Sequence, residues 1–331
     1  MAYNTTLQKT NNEQMLLNLV RLRYVEYPFF LEVSNITTQF TSSSRVVPTI
    51  PFPGFNSSNP GILGGELFWQ NQPTISYTPL EGQGFAKQLL QPIDLIAIQR
   101  LVYAGWDVDR VFRICIQSIN TILNAPTASG PTMEASQQFE TFMRLAELLD
   151  FFQSMGTLQI GIKALKGCDC DNKYTMQICF PSGFAESKEL TELLGKVDTT
   201  KKYYIYDIPL GFEKDSEQGI MTRSLLGCMY YLSVGVQLPE AHKLANFVWT
   251  PEKEGGKEEH WRKLTQGLLT VKCAKNRPRE SYACVQHKGY WFYIDDSDIE
   301  SKRTFVLLLQ LYNLQSTTIQ QEAPILTLPL G

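Results

Sequence analysis

Gly156-Thr157-Leu158-Gln159-Ile160-Gly161-Ile162-Lys163-Ala164 is where the pattern of the chain changes. Upstream, Phe139, Phe142, Leu145, Ala146 and Leu149 recur at the three-to-four spacing of a one-sided face, which predicts a helix over 134–154. From Leu158 onward apolar and polar residues alternate, which predicts a strand over 158–164. Further strands are expected over 173–180 and 202–208, with a short helix at 186–194 between them. A helical half followed by strands points to an α+β protein.

Working toward the N-terminus, Thr10 and Glu13 have capping-box spacing ahead of Met15, Leu16, Leu19, Val20 and Leu22. They predict an amphipathic helix to about Tyr24, ended by Pro28. Strands are expected over 29–37 and 66–77. The Ser/Pro/Gly/Asn-rich residues 42–65 are expected to form a long loop, of a length that is usually functional, disordered or a partner-binding surface. Helices follow over 84–91, from Pro92 to about 105, and from the cap Asp107 through 124. Toward the C-terminus, the nearly uncharged run 221–236 reads as one buried helix. Residues 252–263 read as a solvated loop, and 268–274 and 282–286 as strands joined at Asn276, Arg277 and Pro278. Tyr290-Trp291-Phe292-Tyr293-Ile294 follows the hairpin. Ser297 and Glu300 start a helix to about 314, and residues 324–329 form an edge strand or docking tail. Two lobes are expected. Residues 1–155 would be mainly helical with a small two-stranded sheet, and 156–331 an antiparallel sheet around buried helices.

The composition excludes some function classes. With 331 residues and 43% hydrophobic side chains the chain can build a large core, so it is not wholly disordered. Thirty Lys+Arg against 33 Asp+Glu make a polycation that coats nucleic acid an unsuitable reading. The uncharged run 224–239 is shorter than the roughly 20 apolar residues of a membrane span.

No local motif specifies a reaction, so no catalytic residue is assigned. Gly82-Gln83-Gly84 opens like a dinucleotide fingerprint but has Lys87 where the third glycine belongs. Tyr231-Leu232-Ser233-Val234-Gly235 has Tyr231 in place of the leading glycine of a nucleophile elbow. Asp295, Asp296 and Asp298 suit a helix N-terminus better than a calcium loop. Cys168, Cys170 and Cys179 lack the second ligand pair of a zinc site, so neither metal nor cofactor is expected. A hydrolase with a triad dispersed in sequence would have to use His242 or His287, for instance with Cys228, whose apolar surroundings keep a thiol inert.

Two features remain. If the 268–286 hairpin pairs symmetrically about its turn, Cys273 and Cys284 face each other as a candidate disulfide, given an oxidising compartment. Lys272, Lys275, Arg277, Arg279 and Lys288 gather beside Tyr282, Tyr290 and Trp291. That basic aromatic hairpin would suit an anionic glycan such as peptidoglycan, a phosphate or an acidic protein. Its plainer reading is a solvated sheet edge.

Several stretches together resemble one family. They are Asn12-Glu13-Gln14-Met15-Leu16-Leu17-Asn18-Leu19-Val20-Arg21-Leu22-Arg23-Tyr24 with Pro28-Phe29-Phe30-Leu31, Pro73-Thr74-Ile75-Ser76-Tyr77-Thr78-Pro79-Leu80, and Gln117-Ser118-Ile119-Asn120. Thr222-Arg223-Ser224-Leu225-Leu226-Gly227, Tyr290 through Asp296 with Ser301-Lys302, and Leu326-Thr327-Leu328-Pro329 complete the set. In this order, over nearly the whole chain, they resemble uncharacterised proteins of Gram-negative bacteria that are typically predicted as lipoproteins. Residues 165–180 depart from that pattern. The resemblance brings no known activity. It implies a lipobox cysteine upstream of Tyr3 and a protein tethered by lipid on the periplasmic face of the outer membrane. The expected role is a non-catalytic scaffold or interaction subunit with other envelope proteins as partners, as in a secretion assembly.

Overall fold

The computed structural model describes residues 2–46, 65–125, 137–164, 174–195, 198–199, 202–211, 218–248 and 264–316. The fold is α+β, with small antiparallel sheets and packed helices. Two units are distinct, Phe29–Leu80 and the remainder.

The smaller unit is a two-stranded antiparallel ribbon. In the larger one, the first helix, α1 (Ala2–Arg23), buries Met15, Leu16, Leu19, Val20 and Leu22 on one face. It starts earlier than its apolar pattern suggests, so Thr10 is no cap. Its hydroxyl donates to the Thr6 carbonyl within the helix. The ribbon's strands are β1 (Phe30–Val46) and β2 (Gly65–Leu80), paired from Phe30 opposite Leu80 to Val46 opposite Gly65. They run further than expected into the 42–65 segment, of which residues 47–64 lie outside the described residues.

Next come α2 (Gln83–Leu90), α3 (Leu95–Tyr103), capped by the Asp94 side chain, and α4 (Val108–Cys115). The helix expected to reach 124 stops at Cys115. Its isoleucine-rich continuation forms β3 (Ile116–Ile119), which turns at Asn120 into β4 (Ile122–Leu123). The helix expected over 134–154 is α5 (Gln137–Ser154). β5 (Gln159–Ala164), β6 (Tyr174–Pro181), α6 (Ala185–Leu194), β7 (Asp198–Thr199) and β8 (Tyr203–Pro209) then build a four-stranded sheet in the order β5-β6-β8-β7.

The uncharged run 221–236 is not one helix. It divides into β9 (Ile220–Thr222), which pairs with β3, and α7 (Leu225–Ser233). Arg223 makes the division. Its guanidinium donates to the carbonyls of Arg113 (2.7 Å), Ile114 (3.0 Å) and Ala125 (2.9 Å) and lies 4.3 Å over the Tyr231 ring. Two of those carbonyls end α4, where no intrahelical partner is available. Ser224 caps α7 by accepting from the Gly227 N–H. The Thr222–Gly227 motif is thus a structural junction.

The chain ends in α8 (Glu240–Leu244), β10 (Lys272–Ala274), β11 (Ala283–His287), β12 (Tyr290–Ile294) and α9 (Ile299–Ser316). Asp298, not Ser297, caps α9 by accepting from the Ser301 N–H at 3.0 Å, while Ser297 bonds Asp295. Residues 126–136, 249–263 and 317–331, with the expected break, charged loop and tail, lie outside the described residues.

Two expectations need correction. The strand order is β10-β12-β11, so β12 separates the strands that were to form a hairpin. Cys273 stands opposite Phe292 and Cys284 opposite Tyr293, adjacent residues of β12 that face opposite sides of the sheet. Two strand spacings, about 9.6 Å, and opposed directions exclude a bridge, and both are free thiols. Nor does the larger unit divide at 155. The β3–β9 pairing, α1 packed on β11 and α4 packed on α7 all cross that position.

Candidate functional site

Four helices end in the same hydrogen-bonded turn. After α3, the Gly105 N–H bonds Val102 and the Trp106 N–H bonds Leu101. After α5, Gly156 and Thr157 bond Gln153 and Phe152. After α8, Asn246 and Phe247 bond Lys243 and His242, and after α1, Val25 and Glu26 bond Leu22 and Arg21. This turn requires a left-handed residue just past the helix. Glycine supplies it freely at 105 and 156, and asparagine tolerates it at 246. Val25, with φ 59°, does not. A β-branched side chain there costs about 1–2 kcal/mol.

The β11–β12 turn repeats the anomaly. His287 pairs with Tyr290 across Lys288-Gly289, with φ values of 44° and 81°. That is the two-residue hairpin with both φ positive that ordinarily takes Asn-Gly. Among the described residues, positive φ at a non-glycine occurs at Val25, Asn120, Asn246 and Lys288. Three of these four meet at one corner.

A polar network ties their loops together. Tyr24 Oη and His242 Nδ1 are 2.6 Å apart, and the His242 ring also bonds the Lys288 backbone. Lys288 Nζ reaches Glu26 Oε1 at 2.8 Å. Glu26 Oε2 stands 3.2 Å from His287 Nε2 without the alignment of a hydrogen bond. The Tyr24 ring meets His242, His287 and Phe292 edge-on, and His242 meets Tyr290 at 4.9 Å.

Electrostatics fix the protonation states. Burial pushes the Tyr24 hydroxyl well above the ordinary phenol range, so it remains a donor. Burial, then the charges of Lys288 and Lys275, hold His242 below its usual value, so neutral imidazole accepts the Tyr24 proton in the bond. His287 is lowered as well, first by burial.

Around this network lie side chains that ought to be covered. Val25 is 76% exposed, Tyr27 73%, Leu244 83% and Phe247 56%. Lys288 links the two pairs, with Nζ on Glu26 and 5.9 Å from the Phe247 ring. Arg23 acts on Tyr24, Lys288 and Lys275 on His242, and Lys288 and Arg21 on His287, against the carboxylate of Glu26. The corner is therefore apolar at its rim and positive at its centre.

The basic aromatic surface read from the sequence is split by the sheet. Lys275 lies over Tyr290 at 4.8 Å and joins the corner with Lys288. On the opposite face, Arg277 lies 5.2 Å over Trp291, and Lys272 is paired with Asp295 at 2.9 Å. Tyr282 packs on Phe305 and receives Lys302, and Arg279 is exposed. The sequence did not single out Tyr24, Glu26 or Phe247, because nothing local links them to residues more than two hundred positions away.

A dispersed triad would place a histidine on a serine or cysteine. Here His242 meets Tyr24 and His287 meets Glu26. Among the described residues no three His, Cys, Asp or Glu side chains are grouped to hold a metal. Cys168 and Cys170 lie outside them. No described helix is long and apolar enough to cross a membrane. Compared with known proteins, the chain matches no family model, no curated protein and no solved structure.

Proposed function

We propose that this chain is a non-catalytic interaction subunit whose docking surface is the corner formed by the ends of α1 and α8 and the β11–β12 turn. The observation that carries the reading is the exposure of Val25, Tyr27, Leu244 and Phe247 around a strained, hydrogen-bonded centre. Strained backbone persists where surrounding structure enforces it and tends to cluster at functional positions. Exposed apolar groups beside one another favour a protein partner. The surplus of Arg21, Arg23, Lys275 and Lys288 over Glu26 favours a partner segment that mixes apolar and acidic side chains. The resemblance to predicted lipoproteins supports an outer-membrane protein facing the periplasm, with other envelope proteins as partners.

The test is photo-crosslinking from position 247 in envelope fractions of the source cell. One partner should be captured from position 247, and Tyr27→Asp or Leu244→Asp should abolish capture without changing the melting temperature. A monomer without a crosslinked partner, or capture unaffected by both substitutions, would refute the reading.

The stacked Arg277–Trp291 pair favours a second reading, an anionic glycan bound on the other face of the same sheet. Retention on isolated sacculi should then fall in the double variant Arg277→Glu plus Arg279→Glu. Unchanged retention removes this alternative.

A further inference from the structure

Cys115 and Cys228 lie far apart in sequence, yet their thiols are in contact at the junction built by Arg223. Cys115 is the last residue of α4, and Cys228 is in the first turns of α7. The Cys228 thiol donates to the Ile114 carbonyl at 3.2 Å, one residue before Cys115, which sets it beside the Cys115 thiol. Backbone holds this meeting in place. The Arg223 N–H donates to the Cys115 carbonyl at 2.7 Å, Ile116 pairs with Thr222, and both cysteines are wholly buried. These contacts set this pair apart from Cys273 and Cys284, which point to opposite faces of a sheet.

We propose that Cys115 and Cys228 form a redox couple whose oxidised state is a disulfide joining the end of α4 to α7. The reaction is exchange with a disulfide-bearing oxidant. One cysteine, as thiolate, attacks a sulfur of that oxidant, breaking its S–S bond and releasing one thiol. The second cysteine, also as thiolate, attacks the first cysteine's sulfur in the mixed disulfide, forming the Cys115–Cys228 bond and releasing the second thiol. The two thiol protons leave to solvent and are taken up by the released thiolates, so two electrons and two protons pass to the oxidant. Arg223 is the cation beside both sulfurs and favours the attacking thiolate. The neighbouring Cys228 thiol, then burial, oppose ionisation of Cys115 in the closed fold. Exchange is therefore slow once the core has formed and fast while the chain folds. A chain that folds in an oxidising compartment acquires the bridge, and one folded in a reducing compartment keeps both thiols. This inference stands on the junction alone and is independent of the docking reading.

The test uses the whole chain, unfolded in urea and refolded with oxidised glutathione, or with dithiothreitol as reference. Free thiols are then alkylated and the protein digested. The expected product of the glutathione arm is a linked peptide containing Cys115 and Cys228, lighter by two hydrogens than the separate peptides. The bridge closes a loop of about a hundred residues, so the oxidised form should melt about 5–10 °C above the reduced one. The linked peptide must be missing in Cys228→Ser. Recovery of both residues as alkylated thiols from refolded wild type, or of either one linked mainly to another cysteine, would overturn the proposal. Because that measurement is made on wild type, a variant that fails to fold leaves the outcome decided.

Discussion

Tyr24 and His242 lie 218 positions apart and share a 2.6 Å hydrogen bond in a buried setting. With neutral imidazole the phenol donates and Nδ1 accepts, whereas protonating the ring would reverse that bond and place a charge in the buried site beside Lys288. Because the fold lowers the pKa of His242, the unfolded chain takes up the proton first as pH falls below the usual 6.5. The contribution of this group is complete above that pH and is lost from there down to the folded value. His287 has the same sign. Asp109 and Asp150, raised mainly by burial, act oppositely and nearer the carboxylate range. Wild type should therefore lose more of its melting temperature than His242→Gln between about pH 7.5 and 5.5. Equal losses would show that the imidazole does not titrate against the fold.

Val25 tests whether the strain at this corner serves binding. In Val25→Gly the left-handed position after α1 is occupied at no steric cost. The glycine adds entropy to the unfolded chain, so the net gain is about 0.5–1 kcal/mol by urea denaturation. The same variant should crosslink its partner less efficiently. A variant no more stable than wild type would mean that the valine is not strained there.

Arg223 is buried and meets three backbone carbonyls, with no carboxylate partner among the described residues. Replacement by Met keeps much of the volume and leaves those acceptors unpaired, at a cost of about 3 kcal/mol. Lys should rescue little of this, since one ammonium cannot reproduce the planar fork that spans Arg113, Ile114 and Ala125. Chemical denaturation of the three proteins decides the point. Full stability in Arg223→Lys would show that charge, not geometry, holds the junction.

The same residues explain what the sequence made legible. Elements with a strong period, such as α5, β5, β6 and β8, fall where alternation or three-to-four spacing places them, since burial of one face determines both. The run 221–236 misled because uncharged residues suit a buried helix or a buried strand equally, and Arg223 breaks it through contacts far away in sequence. The C-terminal sheet misled because register follows the turn, and Lys288-Gly289 does not carry the usual Asn-Gly signal. Of the candidate site, Lys275, Lys288 and Tyr290 were visible as part of a basic aromatic cluster. Val25 and Tyr27 were not, for a lone apolar residue after a helix is ordinary until its φ and exposure are known.

Gly235 shows what a near-motif was hiding. The segment Tyr231-Leu232-Ser233-Val234-Gly235 resembles a nucleophile elbow, but Ser233 bonds the Tyr230 carbonyl at the end of α7. The glycine is needed for a different reason. Its carbonyl accepts from the Val271 N–H at 3.0 Å, which draws residues 269–271 so close that a Cβ on Gly235 would collide with the Leu269 carbonyl oxygen. That obstacle is backbone and cannot rotate aside. Gly235→Ala should therefore cost about 3 kcal/mol, or prevent folding. Gly84 is the control, since it lies in the first turn of α2 with nothing within 4 Å of an added Cβ. Gly84→Ala should stabilise by about 0.5–1 kcal/mol by removing backbone freedom from the unfolded chain. Urea midpoints that shift down in the first variant and up in the second are the expected pair. A Gly235→Ala protein as stable as wild type would mean that the segment 269–271 does not pack this closely on the end of α7.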